Sequence, residues 1–289
     1  MIALLLAIAC SFAIALILRV SEIRNGNRLV VAGTNYVIAA SLGLFFGSTD
    51  LTLDWILFGI AVGFGFVAGF LLLMRGMRAV GIAVTASVAR IATLGPVLLT
   101  IFVYNEHPTP TVVVGIFLGL LSFLLLGIDT ASRNDRPAGV GIDVGAGGLL
   151  VLVAILFVMT GNDFAMKIAQ QGGVDRGSLL LVIFAAAGVI CWTWLVFSRQ
   201  RQSPAAREPI SRSDLLRGAA LGIPNFFSSW FLIAALDSLS AAVVFPVSSA
   251  TGVILSAIAG VLFWQERQGS LGWLGIGVAI VAVVLMGIG

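Results

Sequence analysis

Runs of apolar residues, each long enough to cross a lipid bilayer, restrict the fold of this chain more than any other feature. A membrane-spanning helix needs about 20 apolar residues in succession. We predict ten such spans, near residues 2–18, 29–46, 55–74, 79–104, 111–128, 147–168, 178–198, 214–235, 239–263 and 271–288. Because the runs are long and do not alternate in polarity, they indicate an all-α membrane protein and exclude a lipid-exposed barrel of short strands.

The chain carries too little charge to cover a surface that faces water. Of its 289 residues, 60% are hydrophobic and 10% are charged, and the mean hydropathy is +1.12. Soluble domains have about 45–50% apolar and about 25% charged residues. The composition therefore excludes a soluble enzyme, a nucleic-acid-binding protein and a disordered scaffold. We expect an integral protein of the lipid bilayer, with no nucleic-acid partner.

The chain is poor in the residues that build metal sites and hydrolytic centres. His107 is its single histidine, and its two cysteines, Cys10 and Cys191, both lie inside apolar runs. We therefore expect no metal, no cofactor and no disulfide framework. An intramembrane enzyme is the least favoured class, because no paired catalytic acids or metal-ligand cluster stand out.

The N-terminal run is expected to be a retained helix. A secretory signal peptide begins with a basic segment, whereas this run is preceded by no lysine or arginine.

The two halves of the chain resemble each other at a constant offset of 160 residues, which aligns Tyr104 with Trp264 and Glu106 with Glu266. Each half has a long fourth span, an aromatic-x-Glu turn and a fifth span that contains glycine. Five is an odd number, so the second copy must enter the bilayer in the opposite orientation. Such inverted repeats are typical of secondary transporters. We place the first five-helix repeat at 1–128, a linker at 129–146 and the second repeat at 147–289.

The basic residues lie almost entirely in alternate loops, as expected for a membrane protein with cytoplasmic lysine and arginine. The loops of one side contain only Lys167 and Arg176. If the basic side is cytoplasmic, both termini lie outside. The loops of the basic side contain Arg19, Arg24, Arg28, Arg75, Arg78, Arg133, Arg136, Arg199, Arg201, Arg207, Arg212, Arg217 and Arg267.

The repeats resemble those of the drug/metabolite transporter superfamily, specifically its ten-helix EamA-type members. The resemblance rests on RAVGIAVTAS at 78–87, LGPV at 94–97 and YNE at 104–106, and on LDSLSAA at 236–242 and WQER at 264–267. The Gly of the family's Gly-Glu-Arg-like turn is absent from both halves. Family members usually keep both termini in the cytoplasm, whereas the arginine distribution indicates the reverse, so import and export both stay open. The resemblance implies a transporter. The bias toward Arg, Ala and Gly is typical of a GC-rich bacterium, and we expect the protein in the bacterial inner membrane.

Arg90 is the clearest candidate for a functional residue, because it lies near the middle of the fourth span. Ser87 and Thr93 lie three residues to either side and share its helix face. Arginine keeps its proton and therefore needs an anion, carbonyl groups or water. Two interpretations stay open: Arg90 binds a carboxylate or phosphate of a solute, or it forms a structural ion pair with Asp163. Its counterpart in the second repeat is Ala250, so the charge belongs to one half only.

Asp163 follows Asn162 in the sixth span and precedes Lys167 by four residues. A carboxylate at this position can take up and release a proton, which would couple transport to a proton gradient. The alternative is that Lys167 neutralises Asp163 near the membrane interface. The interior of the first span lacks an acid, so the mechanism of the small four-helix multidrug relatives, with a glutamate in the first helix, is not favoured.

Uncharged polar residues follow prolines in two later spans. Asn225 and Ser228 follow Pro224, and Ser248 and Ser249 follow Pro246. A proline frees a carbonyl group and kinks a helix, which helps to form a cavity. The alternative is that these side chains bond between packed helices. The resemblance implies a central cavity between the first, third, fourth, sixth, eighth and ninth helices, which these residues would line together with Arg90 and Asp163.

Glu106 and Glu266 lie at span ends, and we expect each to cap the helix that follows it in sequence, where a negative charge is stabilising. We expect the whole protein to be a secondary transporter of a small organic metabolite or drug that works by alternating access. The solute is expected to be anionic or zwitterionic. The alternatives are a lipid-headgroup flippase and a non-transporting membrane subunit, and a homodimer stays open.

Overall fold

All regular structure in the described part of the chain is helical. The computed structural model describes residues 1–24, 26–48, 51–80, 82–133, 146–201, 210–265 and 269–288. Its helices are α1 (Ile2–Ile23), α2 (Arg28–Phe46), α3 (Leu53–Ala79), α4 (Ile82–Ile91), α5 (Leu94–Tyr104), α6 (Pro110–Arg133), α7 (Ala146–Gln171), α8 (Arg176–Gln200), α9 (Arg212–Leu236), α10 (Ala241–Trp264) and α11 (Ser270–Ile288).

The described helices confirm an all-α membrane protein with ten transmembrane segments arranged as an inverted repeat. Nine of them are long and apolar enough to cross a membrane, and the shorter apolar stretch Val88–Tyr104 is the tenth segment. Helices α1 to α6 fall in the part of the chain predicted as the first repeat and its linker, and α7 to α11 begin at Ala146, directly before the predicted start of the second. Helix α6 extends to Arg133, so it continues beyond the predicted end of the fifth span at residue 128.

The fourth segments of the two repeats end in the same way. The residues after Tyr104 and Trp264, Asn105 and Gln265, both adopt the left-handed conformation, with φ of 51° and 53°. The Asn105 N–H donates to the carbonyl of Thr100, and the Gln265 N–H donates to the carbonyl of Gly260. Left-handed backbone favours glycine, the residue that the resemblance leads us to expect in this turn, whereas asparagine and glutamine occupy it here.

The expectation of one long fourth helix is wrong for the first repeat. Helix α4 ends at Ile91, and α5 begins at Leu94. Pro96 has no N–H, and its ring would clash with the carbonyl group four residues earlier, which belongs to Ala92. The helix is therefore interrupted where Pro96 prevents the bond to Ala92. In the second repeat, α10 contains Pro246 without a break.

The chain divides into two compact units that do not coincide with the sequence repeats. The first unit comprises Met1–Val67 and Ile168–Asp237, and the second comprises Ala68–Lys167 and Ser238–Gly289. Each unit therefore combines helices from both repeats.

The first unit is assembled around α2, which packs against α8 and α9, while α1 packs against α9. Gly222 permits the close approach of α9 to α2, since a Cβ atom there would lie 2.6 Å from Cβ of Ile38. Aromatic rings fill the space beside this contact. The ring centroids of Phe226 lie 5.8 Å from Phe46 and 5.7 Å from Trp230.

The second unit contains α4 to α6, most of α7, and α10 and α11. Helix α6 packs along α11, and glycines on both helices permit this contact. A Cβ atom at Gly115 would lie 3.0 Å from the carbonyl oxygen of Ala282, and one at Gly275 would lie 2.9 Å from Cγ of Leu126. These two helices carry no predicted site residue, so their contact serves to hold the unit together.

Carboxylates from neighbouring elements cap several helix N-termini. In the second unit, Glu106 accepts a hydrogen bond from the Ala241 N–H at 2.9 Å, and Asp129 accepts one from the Gly269 N–H at 3.3 Å. In the first unit, Asp214 accepts one from the Asn27 N–H at 3.1 Å. Carboxylates at these positions complement the positive ends of helix dipoles.

The expectation that Glu106 caps the helix that follows it is therefore wrong. Helix α6 begins with Pro110, which has no N–H to satisfy. The Thr109 hydroxyl already accepts the hydrogen bond from the Val112 N–H, at 3.3 Å. Glu106 is thus free to cap α10. Glu266 lies outside the described residues.

Candidate functional site

Arg90 lies in the last turn of α4, beside the break between α4 and α5. The carbonyl groups of this break are bonded within the protein. The Thr93 hydroxyl donates to the carbonyl of Arg90 at 2.7 Å, and the Ala92 N–H donates to that of Val88 at 2.9 Å. The Thr160 hydroxyl of α7 donates to the carbonyl of Ala92 at 3.1 Å. The break therefore does not need the guanidinium group of Arg90 to satisfy these carbonyls.

The guanidinium group of Arg90 points toward α10. A Cβ atom at Gly252 would lie 4.0 Å from Nη1 of Arg90. In the described part of the chain, no hydrogen bond or ion pair joins this guanidinium group to another side chain.

Two hydroxyl groups of α10 are buried close to this contact. Ser248 precedes Gly252 by four residues and therefore lies on the same helix face. The hydroxyl oxygens of Ser248 and Ser249 are buried and have no hydrogen-bond partner among the described residues. A buried polar group without a partner costs about 1–3 kcal/mol. Such groups are therefore candidates to bind a ligand.

Asp163 has neither of the ion-pair partners that the sequence offered. Lys167 instead pairs with Glu106, with 2.8 Å between Nζ and Oε1, so the interpretation that Lys167 neutralises Asp163 is wrong. No ion pair joins Asp163 to Arg90 among the described residues. Asp163 is half-buried and lies three residues after Thr160, on the face of α7 that contacts the helix break. Asn162 is also half-buried in the second unit.

The predicted site residues of α9 lie in the first unit and bond to neighbouring helices. The Asn225 side chain donates to the side-chain oxygen of Asn35 at 3.1 Å. The hydroxyl oxygens of Ser228 and Ser11 lie 2.7 Å apart. These contacts are what the packing interpretation describes. The side chain of Ser87 lies outside the described part of the structure, although its backbone belongs to α4.

The second unit thus contains Arg90, Thr93, Asn162, Asp163, Ser248 and Ser249. Sequence reasoning did not foresee that Thr160 donates a hydrogen bond to the helix break or that Gly252 lies beside the guanidinium group of Arg90. Both residues are uncharged and therefore do not stand out in a membrane span. The sequence does contain a signal for the break, since Pro96 follows Ala92 by four residues. Within the described ranges, no three His, Cys, Asp or Glu side chains lie together where they could hold a metal ion.

The fold of the described residues is that of a multi-pass integral membrane protein with the inverted-repeat architecture of transporters. The family model of the EamA-like transporter family matches residues 146–288. The chain belongs to this family, within the drug/metabolite transporter superfamily, and the resemblance found in the sequence is confirmed. It is accordingly a membrane transporter of small molecules.

Two comparisons extend over nearly the whole chain. An uncharacterized protein of Haemophilus influenzae is 23% identical over 286 residues, which cover 94% of this chain and 93% of that protein. A protein of known crystal structure has a TM-score of 0.77 at 17% sequence identity, over 99% of this chain and 96% of its own. At this identity, the second likeness establishes the fold alone.

Proposed function

We propose that the protein is a secondary transporter that binds an anionic or zwitterionic organic solute at Arg90 and moves it by alternating access. The observation that carries the proposal is the guanidinium group at a broken helix, without a protein partner among the described residues. Burial of an ionised side chain within a membrane span costs free energy unless the charge pairs with another group. Discontinuous helices commonly form the solute sites of secondary transporters.

Other residues of the second unit have distinct roles in this proposal. Thr93 and Thr160 satisfy the carbonyl groups of the break and so position Arg90. Ser248 and Ser249 supply hydroxyl groups to the solute, and Ser87 and Asn162 contribute further polar atoms. Asn225 and Ser228 belong to the first unit, where they bond to Asn35 and Ser11.

Asp163 is the residue that we propose for proton coupling. It has no ion-pair partner among the described residues, so a proton is the simplest group to balance its charge. Transport by Asp163→Asn should therefore no longer respond to an imposed pH gradient. A normal response would exclude Asp163 from coupling.

We propose the bacterial inner membrane as the location, with the arginine-rich loops in the cytoplasm. The lipid-headgroup flippase is the second candidate function, because the same guanidinium group could bind the phosphate of a lipid. The matching family model favours transport over catalysis.

Thermal unfolding of the purified protein with pools of anionic, zwitterionic, cationic and neutral metabolites tests the proposal. A ligand that binds only the folded state raises its apparent stability. We expect an anionic or zwitterionic pool to stabilise the wild type and not Arg90→Ala. Arg75→Ala is the matched control, because Arg75 is an exposed arginine of the same unit.

Stabilisation that survives Arg90→Ala would make Arg90 structural. Stabilisation by glycerophosphate headgroups alone, together with movement of fluorescent lipid across vesicles, would favour the flippase.

A further inference from the structure

We propose that Glu106 is a latch that holds the first turn of α10 and that its release lets this turn move about Pro246. Glu106 lies in the turn after α5, with 17% of its side chain exposed. One carboxylate oxygen pairs with Nζ of Lys167 on α7 at 2.8 Å. The other accepts the hydrogen bond from the Ala241 N–H at 2.9 Å. One side chain therefore connects three elements of the second unit.

The charge pair is protected from water. The Lys167 side chain is 4% exposed, and its Nζ lies 6.0 Å from the ring centre of Tyr104. The Tyr104 ring in turn lies 6.1 Å from that of Phe164. A hydrogen bond to a charged group is stronger than one between neutral groups, so this contact binds the first turn of α10 more firmly than an ordinary cap.

Helix α10 depends on this contact because its own cap is missing. Ser240 occupies the N-cap position, where serine usually accepts a backbone hydrogen bond, but its side chain makes no cap hydrogen bond. When Glu106 moves away, the Ala241 N–H loses its cap, and the first turn loses its attachment to α5 and α7.

Pro246 supplies the place where the first turn can move. It has no N–H, so the carbonyl group of Ala242 lacks its intrahelical donor. Ser248 and Ser249, whose hydroxyl groups have no hydrogen-bond partner in the part of the chain that the structure describes, follow Pro246 by two and three residues. The segment from Ala241 to Pro246 is thus held at one end by Glu106 and weakened at the other end by the proline. It is adjacent to the two serine hydroxyl groups that bind the solute in the proposed function.

The inference goes beyond the proposed function and is tested without a solute. Residues Ala242 and Ala250 are both fully buried, and they lie before and after Pro246. Each is replaced by cysteine, in turn, in a protein with Cys10→Ala and Cys191→Ala. The rate of reaction with N-ethylmaleimide is then measured with Glu106 intact, with Glu106→Gln and with Glu106→Ala.

We expect Glu106→Ala to accelerate labelling at Ala242→Cys by about tenfold or more, as for the loss of one charge-assisted hydrogen bond. Labelling at Ala250→Cys should stay unchanged. Glu106→Gln should give an intermediate rate, because its amide oxygen can still accept from the Ala241 N–H. The matched control is Asp129→Asn, which alters the equivalent cap of α11 and should leave Ala242→Cys unaffected.

Equal acceleration at both cysteines would mean that Glu106 only stabilises the unit, and no acceleration at Ala242→Cys would mean that the first turn is not held by Glu106. Either result overturns the latch. Neither depends on Arg90, so failure of the latch and failure of the proposed function can be told apart.

Discussion

Two charged residues, Lys167 and Arg176, find partners far from themselves in sequence, whereas Arg217 pairs with Asp214 three residues earlier on α9. Lys167 lies one helical turn from Asp163 yet pairs with Glu106, which is 61 positions earlier in the chain. In the first unit, Arg176 pairs with Asp237, the residue that directly follows α9. Spacing along one helix is therefore a weak guide to ion pairs here, because a helix in a packed unit has several neighbours.

Asp175, at the N-terminus of α8, makes a pH-dependent contribution to the stability of the folded protein. Burial raises the pKa of this carboxyl group, but hydrogen bonds from Ser178 and Ser48 and the charge of Arg176 together hold it below its usual value. The folded state thus favours the carboxylate. The contribution to stability is present above about pH 3.9, the usual pKa of aspartate, and is lost as pH falls through the lower pKa of the folded protein.

We therefore expect the thermal midpoint of the wild type to fall more steeply below about pH 4 than that of Asp175→Asn. Unfolding scans of both proteins across the acid range measure this difference. Parallel curves would show that other carboxylates cause the acid loss.

At the scale of elements, the helix is broken between α4 and α5, and a hydroxyl group of α7 donates a hydrogen bond to a carbonyl group at the break. Pro96 removes the donor that the Ala92 carbonyl would have had from residue 96, and this carbonyl instead accepts from the Gly95 N–H at 3.0 Å and from the Thr160 hydroxyl at 3.1 Å. The sequence contains these residues. Hydrophobicity alone joins 79–104 into one span, however, because it is insensitive to a single missing N–H.

A double-mutant cycle tests this compensation. Thr160→Val should destabilise the protein by about 0.5–1.5 kcal/mol, because the Ala92 carbonyl loses one of its two donors and keeps the Gly95 N–H. In a protein with Pro96→Ala the same change should cost less, since the new N–H can bond to that carbonyl. Unfolding of the four proteins gives the coupling energy, and strict additivity would contradict the explanation.

The spans could be predicted because hydrophobicity is a local property of the sequence. The caps that Glu106 and Asp129 provide to the N–H groups of Ala241 and Gly269 could not be predicted, since they depend on which helices become neighbours. For the same reason, Asn225 could be recognised as polar within a span, but its partner Asn35 on α2 could not. Arg90 could be selected as a candidate because one charge in a long apolar run stands out whatever its surroundings, and its role stays a prediction.

At the scale of the whole molecule, the distribution of basic residues predicts the orientation in the membrane. Basic loops stay in the cytoplasm, so we expect the C-terminus to lie outside. Alkaline phosphatase fused there should be active, and green fluorescent protein fused there should not fluoresce. Fusions after Arg201, in an arginine-rich loop, should give the opposite results. A fluorescent C-terminal fusion would instead support the orientation usual in the family.

The interleaving of the two compact units has a consequence for biosynthesis. Residues 1–67 share a unit with 168–237, so α2 is made well before its partners α8 and α9 leave the ribosome. During that interval the amide of Asn35 and the small residues of α2 face lipid or the translocation machinery. Neither half of the chain can complete a unit by itself, and a ribosome that stops after α6 releases a product with no finished core.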